Sequence, residues 1–156
     1  DQQLRGYGDL IKPLGLLQVL TDVPVGQTGT ARVTSLYGSV NDGEMLTKIE
    51  PFSYVSSARA LPIDSGVVGQ VIALRSGREL TSVQDVIYID RGADDGLKLG
   101  DIIRVSSAAA AGPVREQAEA LVVHTDPKTA TLVVLQVTQP DVRAGATARQ
   151  IRRMPS

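Results

Sequence analysis

Val86-Ile-Tyr-Ile-Asp-Arg-Gly-Ala-Asp-Asp-Gly-Leu-Lys-Leu-Gly-Asp-Ile-Ile-Arg-Val105 reads as strand, glycine-rich turn, strand. The run Val86 to Ile89 is short and β-branched, Arg91 to Gly96 carries two glycines and two aspartates, and Ile102 to Val105 resumes a strand. Short β-branched runs bounded by Gly and Asp clusters are the signature of an antiparallel sheet. The same pattern recurs on both sides. Upstream, strands are expected at Asp9 to Lys12, Leu14 to Leu20, Thr30 to Tyr37, Met45 to Ile49 and Val67 to Leu74. Downstream they are expected at Ala118 to His124, Thr129 to Thr138 and Ala146 to Ile151. No window longer than about two turns has helical periodicity, so the chain reads as all-β, a barrel or sandwich.

Composition narrows this further. The chain has 156 residues, room for one domain or two small ones. At this length roughly 70% of the unfolded surface is buried on folding, and no staples are needed. Aromatic residues make up only 3% and Trp is absent, so the core must be built from Val, Ile, Leu and Ala. The formal net charge of −1 provides no field for nucleic acid or anionic lipid. The absence of Cys excludes disulfides, thiolate metal sites and a cysteine nucleophile. No apolar run approaches the roughly 20 residues of a membrane helix. The chain starts at Asp1 in a polar stretch, which we read as a processed chain or fragment, with a segment upstream.

The two halves share an ordered series of short matches. Gly8-Asp9-Leu10-Ile11-Lys12 matches Gly100-Asp101-Ile102-Ile103-Arg104. Leu17 to Asp22 lies over Leu121 to Asp126, and Ala31 to Thr34 over Val133 to Gln136. Val40-Asn41-Asp42-Gly43 lies over Val142-Arg143-Ala144-Gly145, and prolines follow at Pro51 and Pro155. The order suggests an internal duplication. The expected fold is therefore all-β, two related small antiparallel β-barrel-like units. The first spans 1–60 and the second 61–156, dividing in the turn-forming stretch 52–66. An inserted loop at 106–117, with alanines Ala108 to Ala111 and then Gly112-Pro113, is expected to be an exposed, mobile excursion.

Four stretches invite a chemical reading. Asp90, Asp94 and Asp95 crowd one turn, but their order does not match an EF-hand loop, and aspartates bond nearby amides in turns without metal. Gly92 to Gly96 is not a phosphate loop, because no Lys-Ser/Thr and no helix follows. His124, the only histidine, precedes Thr125-Asp126, and a base in a Ser-His-Asp hydrolase is conceivable. Yet no Gly-x-Ser-x-Gly elbow accompanies it, and one His cannot make a multi-histidine metal site. Arg143, Arg149, Arg152 and Arg153 make the C-terminus locally basic, read as a solubilising tail or a patch for an anionic partner. The reading is no enzyme, with no catalytic, cofactor-binding or metal residues and no cofactor.

Tyr88-Ile89-Asp90-Arg91-Gly92, Asp95-Gly96-Leu97-Lys98-Leu99-Gly100-Asp101 and Val142-Arg143-Ala144-Gly145 resemble a β-domain found C-terminal to LysM modules in bacterial cell-envelope proteins. Arg5-Gly6-Tyr7-Gly8-Asp9 and Pro13-Leu14-Gly15 look like the segment that precedes it there. The resemblance implies an exported, non-catalytic accessory or assembly module of the periplasmic or extracellular envelope. It would act through protein–protein contacts, with peptidoglycan reached only through an upstream LysM module, absent from these residues. The alternative is a structural subunit permanently built into a larger envelope complex or filament. Edge strands could serve either role by β-augmentation.

Overall fold

The computed structural model describes residues 6–8, 10–48, 58–76, 80–108 and 112–155. The chain divides into two compact units, one of Leu10–Tyr54 and one of Asp1–Asp9 with Val55–Ser156. Among the described residues, ordered secondary structure is strand throughout, apart from one 3₁₀ turn at Ala93–Asp95.

The larger unit is a closed six-stranded antiparallel barrel. Its strands are β4 (Val68–Leu74), β5 (Val86–Ile89), β6 (Ile102–Ser106), β7 (Glu116–Thr125), β8 (Ala130–Val137) and β9 (Thr147–Arg153). They follow the order β9-β4-β5-β8-β7-β6, and β6 pairs back onto β9 to close the ring. The two-residue β3 (Leu61–Pro62) lies against Arg152 and Arg153 at the end of β9. Alternation explains closure. Val71 and Ala73, Ile87 and Ile89, Ile103 and Val105, Ala120 and Val122, Leu132 and Val134 all point inward and are buried. Period-two side chains on closed strands fill one lumen. The lumen is lined by aliphatic residues, many of them alanine, as the scarcity of aromatics requires.

The stretch from β5 to β6 joins strands that are not neighbours, because β8 and β7 stand between them. It crosses one end of the barrel and is fastened to the β7–β8 turn. Ala93 N–H donates to Asp126 O at 2.8 Å and Asp94 N–H to Pro127 O at 3.0 Å. Gly92 allows this approach, since a Cβ there would lie 2.6 Å from Thr129 N. The crossing ends on Asp101, whose carboxylate is fully buried. It accepts from Lys98 N–H (2.9 Å), Gln150 Nε2 (2.6 Å) and Met154 N–H (2.7 Å). Gln150 Oε1 in turn accepts from Val67 N–H at 3.3 Å and from Arg153 Nη2 at 3.2 Å. One carboxylate thus ties the crossing to the middle and the far end of β9, the strand that closes the barrel.

The smaller unit is simpler. β1 (Gly15–Val19) pairs antiparallel with β2 (Ala31–Leu36) as a separate two-stranded sheet. This corrects the expectation of a barrel-like first unit among the described residues. Leu10 to Lys12 is not a strand, and neither is Met45 to Lys48. Pro13 interrupts the first run. Among the described residues the second has no neighbouring strand to supply a ladder, without which β propensity alone is weak. Asp9, Ile49 and Pro51 lie outside the described residues. So does the centre of the 106–117 insertion, at 109–111.

The described ends of that insertion differ from an open excursion. Ser107 N–H donates to Arg115 O at 2.8 Å, and Arg115 N–H to Ser107 Oγ at 2.9 Å, so the β6–β7 ladder continues past Ser106. Gln117 belongs to β7. Val105 opposes Ala118 while Ser106 opposes Glu116, a bulge that leaves Gln117 without a partner in the register. Such a bulge re-aims a side chain. Gln117 is buried, and its Nε2 donates to Asp141 O and Oδ1, both at 3.0 Å.

The turns after the matched strands agree locally. Gly43 and Gly145 both hold φ near 90°, in turns closed by Glu44 N–H to Asn41 O and Ala146 N–H to Arg143 O. Lys98–Asp101 and Pro24–Gln27 form the same kind of turn around Gly100 and Gly26. This is the geometry of a type II turn, which favours glycine at its third position. Its fourfold use makes it a property of the turn sequence.

Candidate functional site

The acidic turn is occupied by its own backbone. Asp90 Oδ1 accepts from Gln70 N–H at 2.6 Å, and Asp95 Oδ2 from Gly92 N–H at 2.9 Å. Arg91 lies between them, with Nη1 3.2 Å from Asp90 Oδ2 and Nε 3.7 Å from Asp95 Oδ1. Its Nε also donates to Val68 O at 3.0 Å, which anchors the crossing to the start of β4. Among the described residues no three His or carboxylate side chains are grouped to hold a metal ion. Gly92 to Gly96 is taken up by the 3₁₀ turn, with Gly96 N–H bonded to Ala93 O at 3.0 Å.

His124 lies near the end of β7, with Nε2 3.4 Å from Asp126 Oδ1 and both side chains exposed. Among the described residues no hydroxyl bonds to it, so the pair has a carboxylate and a base but no aligned nucleophile. The basic C-terminal run is a strand and not a tail. Arg149 opposes Arg104 of β6, and Arg152 and Arg153 oppose β3. The nearby Arg104 is held in its charged form by a 2.9 Å bond from Nη2 to Glu119 Oε1, with Glu116 Oε2 3.3 Å from its Nε. Opposite charges therefore interleave on this face.

The buried polar residues Asp101, Gln117 and Gln150 were not singled out from the sequence as site residues. The signal available for Asp101 was its place after Gly100. Its role is to accept amides, which fixes the fold. The phenol of Tyr88 on β5 is pushed above its ordinary value of 10.0 by burial, with Arg75 opposing. It adds no acid or base near neutrality.

What remains is an apolar surface on the smaller unit. In the β1–β2 register Leu17 opposes Val33 and Val19 opposes Ala31, while Gln18 opposes Arg32. Opposed residues share a face, so one face carries Leu17, Val19, Ala31 and Val33 and the other carries Gln18 and Arg32. The apolar face is open: Leu17 is 37% exposed, Val19 58% and Val33 56%. Leu20, Leu36, Tyr37, Val40, Met45 and Leu46 of the same unit are exposed as well. None of the described residues that make the apolar face, Leu17, Val19, Ala31 and Val33, is ionisable. Its chemistry is burial, worth about 1.5–3 kcal/mol for each large side chain fully covered. Contiguous exposed apolar patches mark interaction sites.

No protein-family model, curated protein or solved structure matches this chain.

Proposed function

We propose that the chain is a non-catalytic assembly module of the bacterial cell envelope, periplasmic or extracellular, that acts through protein–protein contacts. The observation that carries this is the uncharged, exposed face of Leu17, Val19, Ala31 and Val33. A two-stranded sheet is at best marginally stable in water and gains most from a third layer or strand. A partner that covers this face or extends an edge of the hairpin supplies that. The proposed association with a LysM-type peptidoglycan-binding protein rests on Tyr88 to Gly92, Asp95 to Asp101 and Val142 to Gly145. A closed barrel fastened by Asp101 suits a rigid carrier for such a contact.

The marginal stability of two strands also favours a second reading, a subunit permanently built into a larger envelope complex or filament. The relation between the halves is reduced in this proposal to one hairpin in each. β1–β2 would be the counterpart of β7–β8 as an antiparallel hairpin only, since Leu17 faces Val33 while Leu121 faces Val133, the match of Ala31, and the two registers differ by two residues.

The experiment is size-exclusion chromatography with light scattering on native material, beside a Leu17→Glu/Val33→Glu variant. An assembly that the variant loses, with the barrel's circular dichroism intact, supports the module. A free monomer in native material argues against the permanent subunit. A native assembly that the double variant leaves whole would remove this face from the proposal.

A further inference from the structure

We propose that Asp42 is a site of spontaneous isomerisation to isoaspartate, and that Asp95, the other aspartate followed by glycine, is protected from it by the fold. In an Asp-Gly pair the backbone nitrogen of the glycine attacks Cγ of the neutral aspartic acid. A C–N bond forms, the nitrogen loses its proton, and the carboxyl loses its hydroxyl, so one water leaves and a five-membered succinimide remains. Water then adds back at either carbonyl. Opening at one restores aspartate, and opening at the other leaves the chain running through the former side chain. No oxidant or cofactor enters, and the water released is regained.

The chemistry needs a free glycine N–H, a side chain free to swing onto it and space for the ring. All three meet at Asp42-Gly43. Both residues are exposed, and a Cβ built on Gly43 meets nothing within 4 Å. The turn is closed one residue later, by Glu44 N–H to Asn41 O at 3.4 Å. Among the described residues neither the Asp42 carboxylate nor the Gly43 N–H has a partner. Asp side chains readily reach the neighbouring backbone when nothing else holds them.

Asp95-Gly96 has the same two residue types in the opposite state. Gly96 N–H donates to Ala93 O at 3.0 Å, which ties up the attacking nitrogen. Asp95 Oδ2 accepts from Gly92 N–H at 2.9 Å, and Arg91 stands 3.7 Å from Oδ1, which together hold the side chain away from the Gly96 nitrogen. Both bonds must break before the ring can close. A single hydrogen bond of about 1.4 kcal/mol already slows the step about tenfold.

The test incubates the full chain at neutral pH and body temperature, natively and in urea. Isoaspartate is then located by methyltransferase labelling and fragment mass spectrometry. The native chain should accumulate it at Asp42 at least about tenfold faster than at Asp95, and urea should bring the two rates together. Asp42→Glu, which would need a six-membered ring, should abolish the native signal. Equal native rates at the two sites would overturn the proposal. So would an Asp42 that reacts only in urea, because the turn would then protect it.

Discussion

The barrel and the β1–β2 hairpin are made from the same residues and solve opposite problems. Val, Leu and Ala alternate with polar residues in both. In the barrel every strand has two neighbours, so the inward set has a lumen to fill, and Leu132 is fully buried. In the hairpin each strand has one neighbour, so the same alternation yields an apolar face with nothing over it among the described residues, and Val33 is 56% exposed. Period-two patterning decides which side chains share a face. The number of paired strands decides whether that face becomes a core or a surface.

The comparison is broken most severely at Asp101. Asp101→Ala removes the acceptor of three hydrogen bonds, a buried one from Gln150 and part-buried ones from the Lys98 and Met154 amides, where the crossing meets β9. Each hydrogen bond to a charged group is worth about 1.5–3 kcal/mol, so losing the three together should cost at least about 3 kcal/mol. Urea denaturation should show that loss. A cost below about 1 kcal/mol would mean that the carboxylate does not fasten the barrel.

A matched pair of truncations tests the contrast itself. Leu132→Ala empties space in a closed lumen and should cost about 2–5 kcal/mol. Val33→Ala trims a side chain already 56% exposed and should change the stability of the free chain by less than about 0.5 kcal/mol. Its effect should appear in assembly, as a weaker complex by light scattering. Equal costs in the free chain would show that the hairpin face is covered from within.

How much of this was legible follows from what the signals report. β4, β7 and β8 were readable because their apolar residues are numerous and bounded by turn formers, as at Asp126-Pro127-Lys128. The turns at Gly43 and Gly145 were readable because glycine has a local reason to be there. That the second unit is barrel-like was legible from its many short strands, but which strands close it was not, since closure depends on Ile103 opposing Gln150, residues far apart in sequence. The same long-range pairing hides Gln150 and Asp101 from any residue-by-residue scale, which sees two polar side chains and expects solvent. Gln117 was hidden by its bulge, which changes the face without changing the composition. Met45 to Ile49 reads as a strand in the sequence, yet over its described part, Met45 to Lys48, no ladder among the described residues receives it.

Alkaline pH should act on the barrel through Tyr88. Burial holds its phenol above the ordinary value of 10.0, so the folded chain keeps a proton that the unfolded chain releases. The corresponding stability is present below the unfolded value and falls as pH rises through it toward the folded one. Denaturation midpoints should therefore drop above about pH 10, and Tyr88→Phe should flatten that part of the decline. An unchanged slope in the variant would assign the decline to other groups.

The smallest effect should come from the β6–β7 connection. Ser107 and Arg115 already face each other across the ladder, so residues 108–114 can be replaced by Asn-Gly without moving either strand. Asn-Gly favours the tight turn whose twist matches antiparallel strands, and a shorter loop costs slightly less entropy to close. Val114 is exposed and its loss empties no core. The expected change in stability is no more than about 1 kcal/mol, read from urea midpoints at constant m. The cut must stop before Glu116. A deletion that also took Gln117 would release Asp141 from two hydrogen bonds and shift the bulge that aims Gln117 inward. A one-residue slip reverses every side chain beyond it, which would turn Ala118, Ala120 and Val122 out of the lumen. The two deletions differ by only a few residues, yet the shorter one should be almost silent and the longer one should unfold the barrel.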